Sequence, residues 1–206
     1  MEGVEKTAKT VEEAVSQALA QLGISREEAE IEVLEEPSRG FLGLLGSRPA
    51  RVRVRVKDTP VRRARELLDK LLGAMNLPVD MAIEEKENNL FIDIEGRDVG
   101  ILIGRRGETL DALQYLVTLY VNKNKTQRYK VFLDVEGYRR RREETLQRLA
   151  IKLAEKAKQR GRNVVLEPMS SHERRIIHTA LQGRDDIYTY SEGEEPYRKI
   201  IISPKK

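Results

Sequence analysis

Two glycines that flank two arginines form the segment of this chain best suited to bind an anion. The segment is Gly104-Arg105-Arg106-Gly107, and an apolar helical pattern begins shortly after it at Leu110. Glycine allows a backbone turn to approach a ligand closely. The first N–H groups of the following helix, and the positive end of its dipole, point into the same turn. We therefore expect the glycines to admit a phosphate-bearing backbone and the two arginines to contact its phosphates.

A second basic pair, Arg174 and His178, lies about 70 residues further along the chain. The two are about one helical turn apart and share one side of the predicted helix, while Arg175 lies further toward solvent. Apolar residues fill the opposite arc and must face the core: Ile176, Ile177, Ala180 and Leu181. At the border of that arc, a guanidinium and an imidazole could be held ready for a phosphate. Taken alone, His178 is better explained as a histidine that satisfies a hydrogen bond at the core edge.

Metal-dependent catalysis has little support in this sequence. The only other histidine, His172, precedes His178 by six residues, a spacing that does not place both on one ligand face. The adjacent pair Asp185-Asp186 is more typical of a loop after a helix. The chain has no cysteine, which excludes disulfides, zinc–cysteine sites and thiol nucleophiles. We therefore expect no catalytic residue, no metal site and no cofactor, and a protein that is not an enzyme.

The positive charge of the chain is concentrated in its last third. Residues 137–206 hold 17 basic and 10 acidic residues, a net of +7, whereas residues 1–58 and 59–136 carry −2 and −1. This asymmetry favours a polyanionic partner for the last third. A long solvated helix rich in arginine and lysine is the alternative. The run Arg139–Arg142 fits a bound anion and a solvated basic turn equally well.

Length and composition indicate small folded domains with charged surfaces. The chain has 206 residues, of which 39% are hydrophobic and 35% charged. That length accommodates one large domain or two to three small ones. The sequence contains no signal-peptide pattern and no apolar run of the roughly 18 residues needed to span a bilayer. We expect a soluble, cytoplasmic protein.

The first 58 residues are predicted to form a small α/β domain. Thr10 and Glu13 fit a capping box at the start of a helix. Ile31 and Val33 indicate a strand. The segment 51–57 alternates valine with arginine or lysine, which predicts a strand with one buried face and one solvated basic face.

Residues 59–136 are predicted to fold in the order α-β-β-α-α-β. An apolar helical pattern begins at Val61, and two alternating segments joined at Asn88-Asn89 indicate a hairpin. A short helix precedes Gly104, and the next helix is expected to bury five apolar residues before the closing strand 129–135. Those residues are Leu110, Leu113, Leu116, Val117 and Tyr120.

Residues 137–206 are predicted to begin with a helix of about 20 residues that starts at Tyr138. Its apolar stripe consists of Leu146, Leu149, Leu153 and Ala157. A short strand follows at 164–166, and then a helix that is capped by Ser170 and Glu173 and ends at Gly183. Strands are expected at 187–191 and 198–202.

The α-β-β-α-α-β order, with Gly-x-x-Gly between its two central helices, resembles the type II KH domain over about residues 61–136. KH domains clamp about four nucleotides of a single strand through this loop, while the bases lie in an apolar groove. The resemblance implies that Ile101, Ile103 and Leu110 form the groove floor. The alternative is an ordinary turn between helices with exposed arginines. The acidic balance of this region would weaken nonspecific attraction to phosphates.

The last region resembles the R-xxx-H domain, which binds single-stranded nucleic acid. The likeness covers about residues 140–203 and rests on Arg174 and His178 together with the downstream Gly-x-x-Pro-Tyr-Arg, residues 193–198. It implies that RNA is contacted by four side chains: Arg174, Arg175, His178 and Arg198.

The glycine-rich segment 39–47, which precedes the basic strand, extends the likeness to nearly the whole chain. It resembles the N-terminal domain of the Jag (SpoIIIJ-associated) family, which has the same three-domain order. The expected fold is therefore α/β (α+β) in three small domains: a Jag-type domain at 1–58, a type II KH domain at 59–136 and an R-xxx-H domain at 137–206. In segment 39–47 we expect Phe41 to favour protein contact and Leu42 to favour the core.

The family resemblance implies a bacterial cytoplasmic protein that binds single-stranded RNA and regulates gene expression after transcription. It links the protein to cell elongation and division, cell shape or sporulation, and to a smaller KH-domain partner. The alternative is an adaptor that contacts a membrane insertase or the elongation machinery through its N-terminal domain, with RNA binding secondary. Binding of single-stranded DNA and a homodimer formed through the KH domain are left open.

Overall fold

The computed structural model describes residues 3–38 and 48–205 and contains both helices and strands throughout. Its backbone divides into two compact units, Met1–Arg63 and Ala64–Lys206. The mixed α/β character and the α-β-β-α-α-β order of the central region confirm the predicted fold class. Segment 39–47, with the expectations for Phe41 and Leu42, lies outside the described residues. No helix among the described residues combines the length and the apolar character needed to cross a membrane.

The first unit is a three-stranded antiparallel sheet that packs on one helix. Its elements are β1 Val4–Ala8, α1 Val11–Leu22, β2 Ala29–Glu35 and β3 Ala50–Val56, with the strands in the order β1-β3-β2. The predicted helix start is confirmed, because the backbone N–H of Glu13 donates to Thr10 Oγ1 over 3.1 Å. Strand β1 was not predicted, since five residues carry too short an alternation to distinguish a strand from a coil.

The basic face of β3 is covered by acidic side chains of both neighbouring strands. Arg51 and Arg53 donate to the Glu5 carboxylate on β1, and Arg53 also pairs with Glu32 on β2. Hydrogen bonds, first from Arg51 and then from Arg53, lower the pKa of the Glu5 carboxyl. The predicted alternation is confirmed, but this face is an array of ion pairs rather than a purely basic surface.

The region 60–135, which includes the first part of the second unit, has the connectivity of a type II KH domain. Its elements are α2 Pro60–Ala74, β4 Val79–Lys86, β5 Asn89–Gly96, α3 Gly100–Ile103, α4 Glu108–Asn122 and β6 Lys130–Val135. The strands lie in the order β4-β5-β6; β4 and β5 are antiparallel, and β5 and β6 are parallel. A parallel pair needs a crossover connection, and here α3, a short 3-10 turn at Arg105–Gly107 and α4 provide it.

Helix α4 presents part of its apolar surface to solvent. Leu110 and Val117 have no exposed surface, whereas Leu116 is 51% exposed and lies beside the exposed Tyr115 and Leu119. The expectation that Leu116 is buried was therefore wrong. Only one face of α4 packs against the rest of the fold, and residues 115, 116 and 119 turn away from that face.

The last part of the second unit packs two helices on a small antiparallel sheet. Its elements are α5 Tyr138–Arg160, β7 Val164–Val165, α6 Ser171–Leu181, β8 Ile187–Glu192 and β9 Lys199–Pro204, with the strands in the order β7-β9-β8. Ser170 caps α6 as predicted, and the helix ends two residues before Gly183.

The buried stripe of α5 differs from the prediction in two of its four positions. It follows Leu146, Ala150, Ala154 and Ala157, whereas Leu149 is 38% exposed and Leu153 is only partly buried. A four-residue step from Leu146 leads to Ala150 and not to Leu149, and small alanine side chains allow the helix to approach its neighbours closely. The apolar periodicity predicted the helix correctly, but the predicted buried face is rotated slightly around the helix from the observed one.

Candidate nucleic-acid interface

The first glycine of the loop is required by the shape of the turn itself. Gly104 follows α3 with φ 69° and ψ −166°, a backbone conformation that is essentially restricted to glycine. A Cβ atom placed there would lie only 2.0 Å from Thr109 Oγ1 on α4. The missing side chain thus lets the chain reverse direction directly against the start of α4.

The second glycine makes room for a neighbouring helix. Gly107 is buried, with φ 86°, and a Cβ atom there would lie 2.9 Å from Cε1 of Tyr138, the first residue of α5. Its lack of a side chain therefore serves the packing of the loop against α5. This is a structural role in addition to the ligand approach expected from the sequence.

The two arginines of the loop have different environments. Arg105 is exposed, and no hydrogen bond or ion pair joins its side chain to another described residue. Arg106, at φ 57°, donates from Nη1 to the carbonyl oxygen of Pro168 over 2.5 Å and forms an ion pair with Glu167. Arg105 is directly available to a phosphate, and Arg106 is held by the segment before α6.

The three expected groove residues are not equally accessible. Ile101 is 60% exposed, Ile103 is half-buried and Leu110 has no exposed surface. The expectation that Leu110 lines the groove is corrected, because a fully buried side chain has no surface to offer a base. Leu110 belongs to the core beneath the loop, and Ile101 and Ile103 supply the accessible apolar surface.

Arg174 on α6 is more deeply buried than a border position predicts. Its side chain is only 9% exposed. The guanidinium donates from Nη1 to the carbonyl oxygen of Met169 over 3.1 Å, and from Nη1 and Nη2 to Glu195 Oε1 over 2.9 and 2.8 Å. Glu195 belongs to the segment that joins β8 and β9, so this cation connects α6 to that segment.

His178 connects α6 to the sheet. Its Nδ1 lies 2.8 Å from Thr189 Oγ1, and its Nε2 lies 3.3 Å from Ser191 Oγ, both on β8. Burial, and secondarily the charge of Arg174, lowers the pKa of His178 below its ordinary 6.5. The imidazole is therefore neutral at pH 7 and is occupied on both nitrogens by hydroxyl groups.

The neutral state of His178 predicts a pH-dependent stability. Because its pKa is lowered in the folded protein, the unfolded chain takes up a proton at higher pH than the native protein does, so stability decreases as the pH falls below about 6.5. We expect the thermal midpoint to decrease between pH 7.5 and 5.5, and this decrease to be smaller in His178→Gln. The exposed His172→Gln is the control and should keep the wild-type profile; identical profiles for all three proteins would contradict the assignment.

The other two predicted RNA contacts are exposed arginines. Arg175 is exposed and lines a separate shallow pocket of about 220 Å³ beside His172. Arg198 is exposed, directly before β9, and its side chain makes no polar contact with the described residues. The backbone carbonyl of Arg198 accepts a hydrogen bond from the N–H of Met169 over 3.2 Å, and the carbonyl of Met169 accepts one from Arg174, so Arg198 lies beside the contacts of Arg174.

The run of arginines at the start of α5 connects the second unit internally. Arg139 donates to the carbonyl oxygen of Leu133 over 3.2 Å and pairs with Asp111 on α4. Arg142 donates to Glu173 on α6 over 2.7 Å. The two alternatives predicted from the sequence were a bound anion and a solvated turn. Neither included these contacts between elements of the protein itself.

In the acidic pair after α6, Asp186 is held by basic side chains. Asp186 accepts hydrogen bonds from Arg184 and pairs with Lys158, and these contacts, Arg184 first, lower the pKa of its carboxyl. Among residues 3–38 and 48–205, no group of three or more metal-ligating side chains is placed to hold a metal ion.

A cleft of about 600 Å³ brings the glycine loop and the segments around α6 together. Arg105 and Arg106 line it from one side; Met169 and Glu195, which both bind Arg174, line it from the other. Tyr197, 76% exposed, also lines the cleft. Sequence reasoning included Tyr197 in the Gly-x-x-Pro-Tyr-Arg motif but gave it no role, since only the fold shows that it faces the glycine loop's cleft.

Three protein-family models match successive parts of this chain. The model described as Jag N-terminus matches residues 6–56, that of the KhpA/KhpB KH domain matches residues 62–133, and that of the R-xxx-H domain matches residues 144–204. Their order along the chain is the order predicted from the sequence.

Two relatives match this chain over its full length. The RNA-binding protein KhpB of Clostridium symbiosum is 49% identical over all of this chain and 93% of its own length. The RNA-binding protein KhpB of Bacillus subtilis is 39% identical over the full length of both proteins. That of Lactiplantibacillus plantarum is 32% identical over 77% of this chain and half of its own. On these matches, the chain belongs to the Jag (KhpB) family.

Proposed function

We propose that this chain is a cytoplasmic protein that binds single-stranded RNA through its KH and R-xxx-H domains and regulates gene expression without catalysing a reaction. The observation that carries the proposal is the cleft that the two domains share. The glycine loop lines it from the KH domain, and the binding partners of Arg174, Met169 and Glu195, line it from the R-xxx-H domain. The names of the full-length relatives, RNA-binding protein KhpB, support the same ligand.

The chemistry of the cleft suits an unpaired strand. The exposed guanidinium of Arg105 can form charge-assisted hydrogen bonds with a phosphate. The ring of Tyr197 offers a stacking surface within the cleft. Ile101 and Ile103 do not line the cleft, but their accessible surface just before the glycine loop offers an apolar contact to a base. Stacking on an aromatic ring requires a base free of its duplex partner, which favours single-stranded RNA over a helix. We keep Arg175, His178 and Arg198 as proposed contributors, with His178 acting by positioning α6.

A salt titration tests the place of Arg174 in this site. Loss of one phosphate contact lowers the slope of log affinity against log salt concentration by about 0.7 for a single strand. We expect Arg174→Gln to weaken binding of an unstructured oligoribonucleotide and to lower the slope by that amount. Arg148→Gln, an exposed arginine on α5, is the matched control and should leave both values close to wild type. A folded Arg174→Gln protein with an unchanged slope would remove Arg174 from the phosphate contacts.

The cellular role that we propose is post-transcriptional regulation linked to cell elongation, division, shape or sporulation. It follows the family resemblance, and an RNA-binding surface is consistent with it. Crosslinking of the protein to RNA in cells, followed by sequencing of the fragments, would identify the transcripts concerned. Recovery of no transcript above background would contradict a regulatory role through RNA.

A second candidate function is protein contact, and the exposed apolar face of α4 favours it. Tyr115, Leu116 and Leu119 are each more than half exposed on one helix. Apolar side chains that cluster in this way are typical of protein interaction surfaces. A smaller KH-domain protein, a second copy of this chain and a membrane insertase or the elongation machinery are the proposed partners. Partners retained after nuclease digestion of the RNA would favour this adaptor role.

A further inference from the structure

Two cations of the proposed site are already bound to glutamates of the same chain. Arg106 pairs with Glu167, and Arg174 donates twice to Glu195. Both carboxylates lie in the cleft that is shared by the two domains. Two of the positive charges that a phosphate would contact, those of Arg106 and Arg174, are therefore neutralised within the protein, whereas Arg105 stays available.

These two glutamates differ from a third one nearby. The side chains of Glu167 and Glu195 are 71% and 58% exposed, whereas that of Glu173 is 8% exposed and is held by Arg142. Ion pairs in contact with water contribute little free energy, because water solvates both partners when they separate. A buried, hydrogen-bonded pair is costly to break. Glu167 can thus leave Arg106 at small cost. Glu195 is itself exposed, but Arg174 is only 9% exposed, so Glu195 can leave it only when another anion, such as a phosphate, takes its place on the guanidinium.

Carboxylate and phosphate bind guanidinium groups in the same way. Each presents two oxygens that can accept two parallel N–H bonds from arginine. Arg174 does not itself line the cleft; Glu195 lies between its guanidinium and the open space. A phosphate in the cleft can reach Arg174 only when the Glu195 carboxylate moves away.

We propose that Glu167 and Glu195 occupy the phosphate positions of a single RNA site that spans the KH and R-xxx-H domains, and that a bound strand displaces both. This inference rests on the proposed function. The glycine loop and α6 then form two halves of one site. Without RNA, the carboxylates of Glu167 and Glu195 hold the arginines of that site in place.

Internal competition makes the site selective for a polymer. The cleft is lined by five carboxylates, from Glu108, Asp111, Glu167, Glu173 and Glu195, and by only two arginines, Arg105 and Arg106. A mononucleotide can form one phosphate contact, and the acidic lining repels it. A strand that reaches both halves gains a second contact at high effective concentration after the first one forms. The acidic lining thus discriminates against short anions while it admits a single-stranded chain.

The test compares two double variants of the full chain with the same change in net charge. Glu167→Gln/Glu195→Gln removes both competitors, and Glu95→Gln/Glu144→Gln removes two exposed carboxylates outside the cleft. Affinity for an unstructured oligoribonucleotide is measured for both variants and the wild type at one salt concentration. We expect the first variant to bind about threefold to tenfold more tightly than the control variant, because the two competing carboxylates are themselves more than half exposed and each opposes binding only weakly. The affinity for adenosine monophosphate is measured in parallel. The ratio of the affinity for the oligoribonucleotide to that for adenosine monophosphate should be smaller for Glu167→Gln/Glu195→Gln than for the wild type.

The outcomes separate this inference from the proposed function. If the wild type binds RNA and the cleft variant binds no more tightly than the control variant, the internal competition is refuted while RNA binding stands. Weaker binding by the cleft variant would show that the glutamates position the arginines for RNA, which also overturns the proposal. If neither the wild type nor any variant binds, both the proposed function and this inference fail. The single variant Glu195→Gln provides the same comparison should the double variant fold poorly by circular dichroism.

Discussion

Reversal of both charges in the glycine loop, Arg105→Asp with Arg106→Asp, is expected to weaken single-stranded RNA binding about a hundredfold or more. Hydrogen bonds to charged groups contribute roughly 1.5–3 kcal/mol each, so the loss of two corresponds to about two orders of magnitude or more in affinity. The new carboxylates would also repel the phosphates. Fluorescence anisotropy with a labelled oligoribonucleotide measures the change.

Two further variants test whether the loss of RNA affinity is specific to the loop. Arg65→Asp/Lys130→Asp reverses two exposed charges of the same domain outside the cleft and should reduce affinity only slightly. Arg105→Asp alone leaves the contact between Arg106 and Pro168 in place and separates phosphate binding from domain packing. Wild-type affinity in a folded double variant of the loop would refute the role assigned to these arginines.

The second large effect is expected from Gly104→Ala. The backbone at this position is accessible to glycine and costs other residues about 1–3 kcal/mol, and the added Cβ would also collide with Thr109. We expect a lower thermal midpoint and an affinity for RNA reduced about tenfold or more, because the turn that presents Arg105 would be rebuilt. Differential scanning calorimetry and the binding titration measure the two quantities.

Gly100→Ala is the matched control for this prediction. Gly100 begins α3, its surroundings leave open space for a Cβ atom, and its φ is not in the left-handed region. Alanine in a helix is more favourable than glycine by about 0.5–1 kcal/mol, so this variant should be as stable as the wild type or slightly more stable. Equal behaviour of the two alanine variants would contradict the special geometry of Gly104.

Local signals in the sequence predicted the helix starts and the glycine turn well. Thr10 and Ser170 cap their helices through contacts three residues along the chain, which sequence spacing alone determines. The order of elements around Gly104 likewise followed from apolar periodicity. Such features depend on neighbours in sequence, and therefore they can be predicted without the fold.

The features that were wrong or missed depend on distant segments. Leu110 and Leu116 both fit an apolar helical pattern, but only the packing of α4 decides that the first is buried and the second exposed. The partners of Arg106 and Arg174 lie about 60 and about 20 residues away, at Glu167 and Glu195. No periodicity indicates which carboxylate a given arginine meets in three dimensions.

The contact between Gly107 and Tyr138 makes two distant positions of the sequence sterically interdependent. A side chain larger than hydrogen at 107 would need the space that the ring at 138 fills, and it would also have to adopt a φ of 86°, which disfavours any residue with a Cβ atom. A smaller side chain at 138 would relieve the collision but not the backbone strain, so glycine is required at 107 whichever residue stands at 138. The packing between the two domains therefore depends on a missing side chain in one of them and on an aromatic ring in the other.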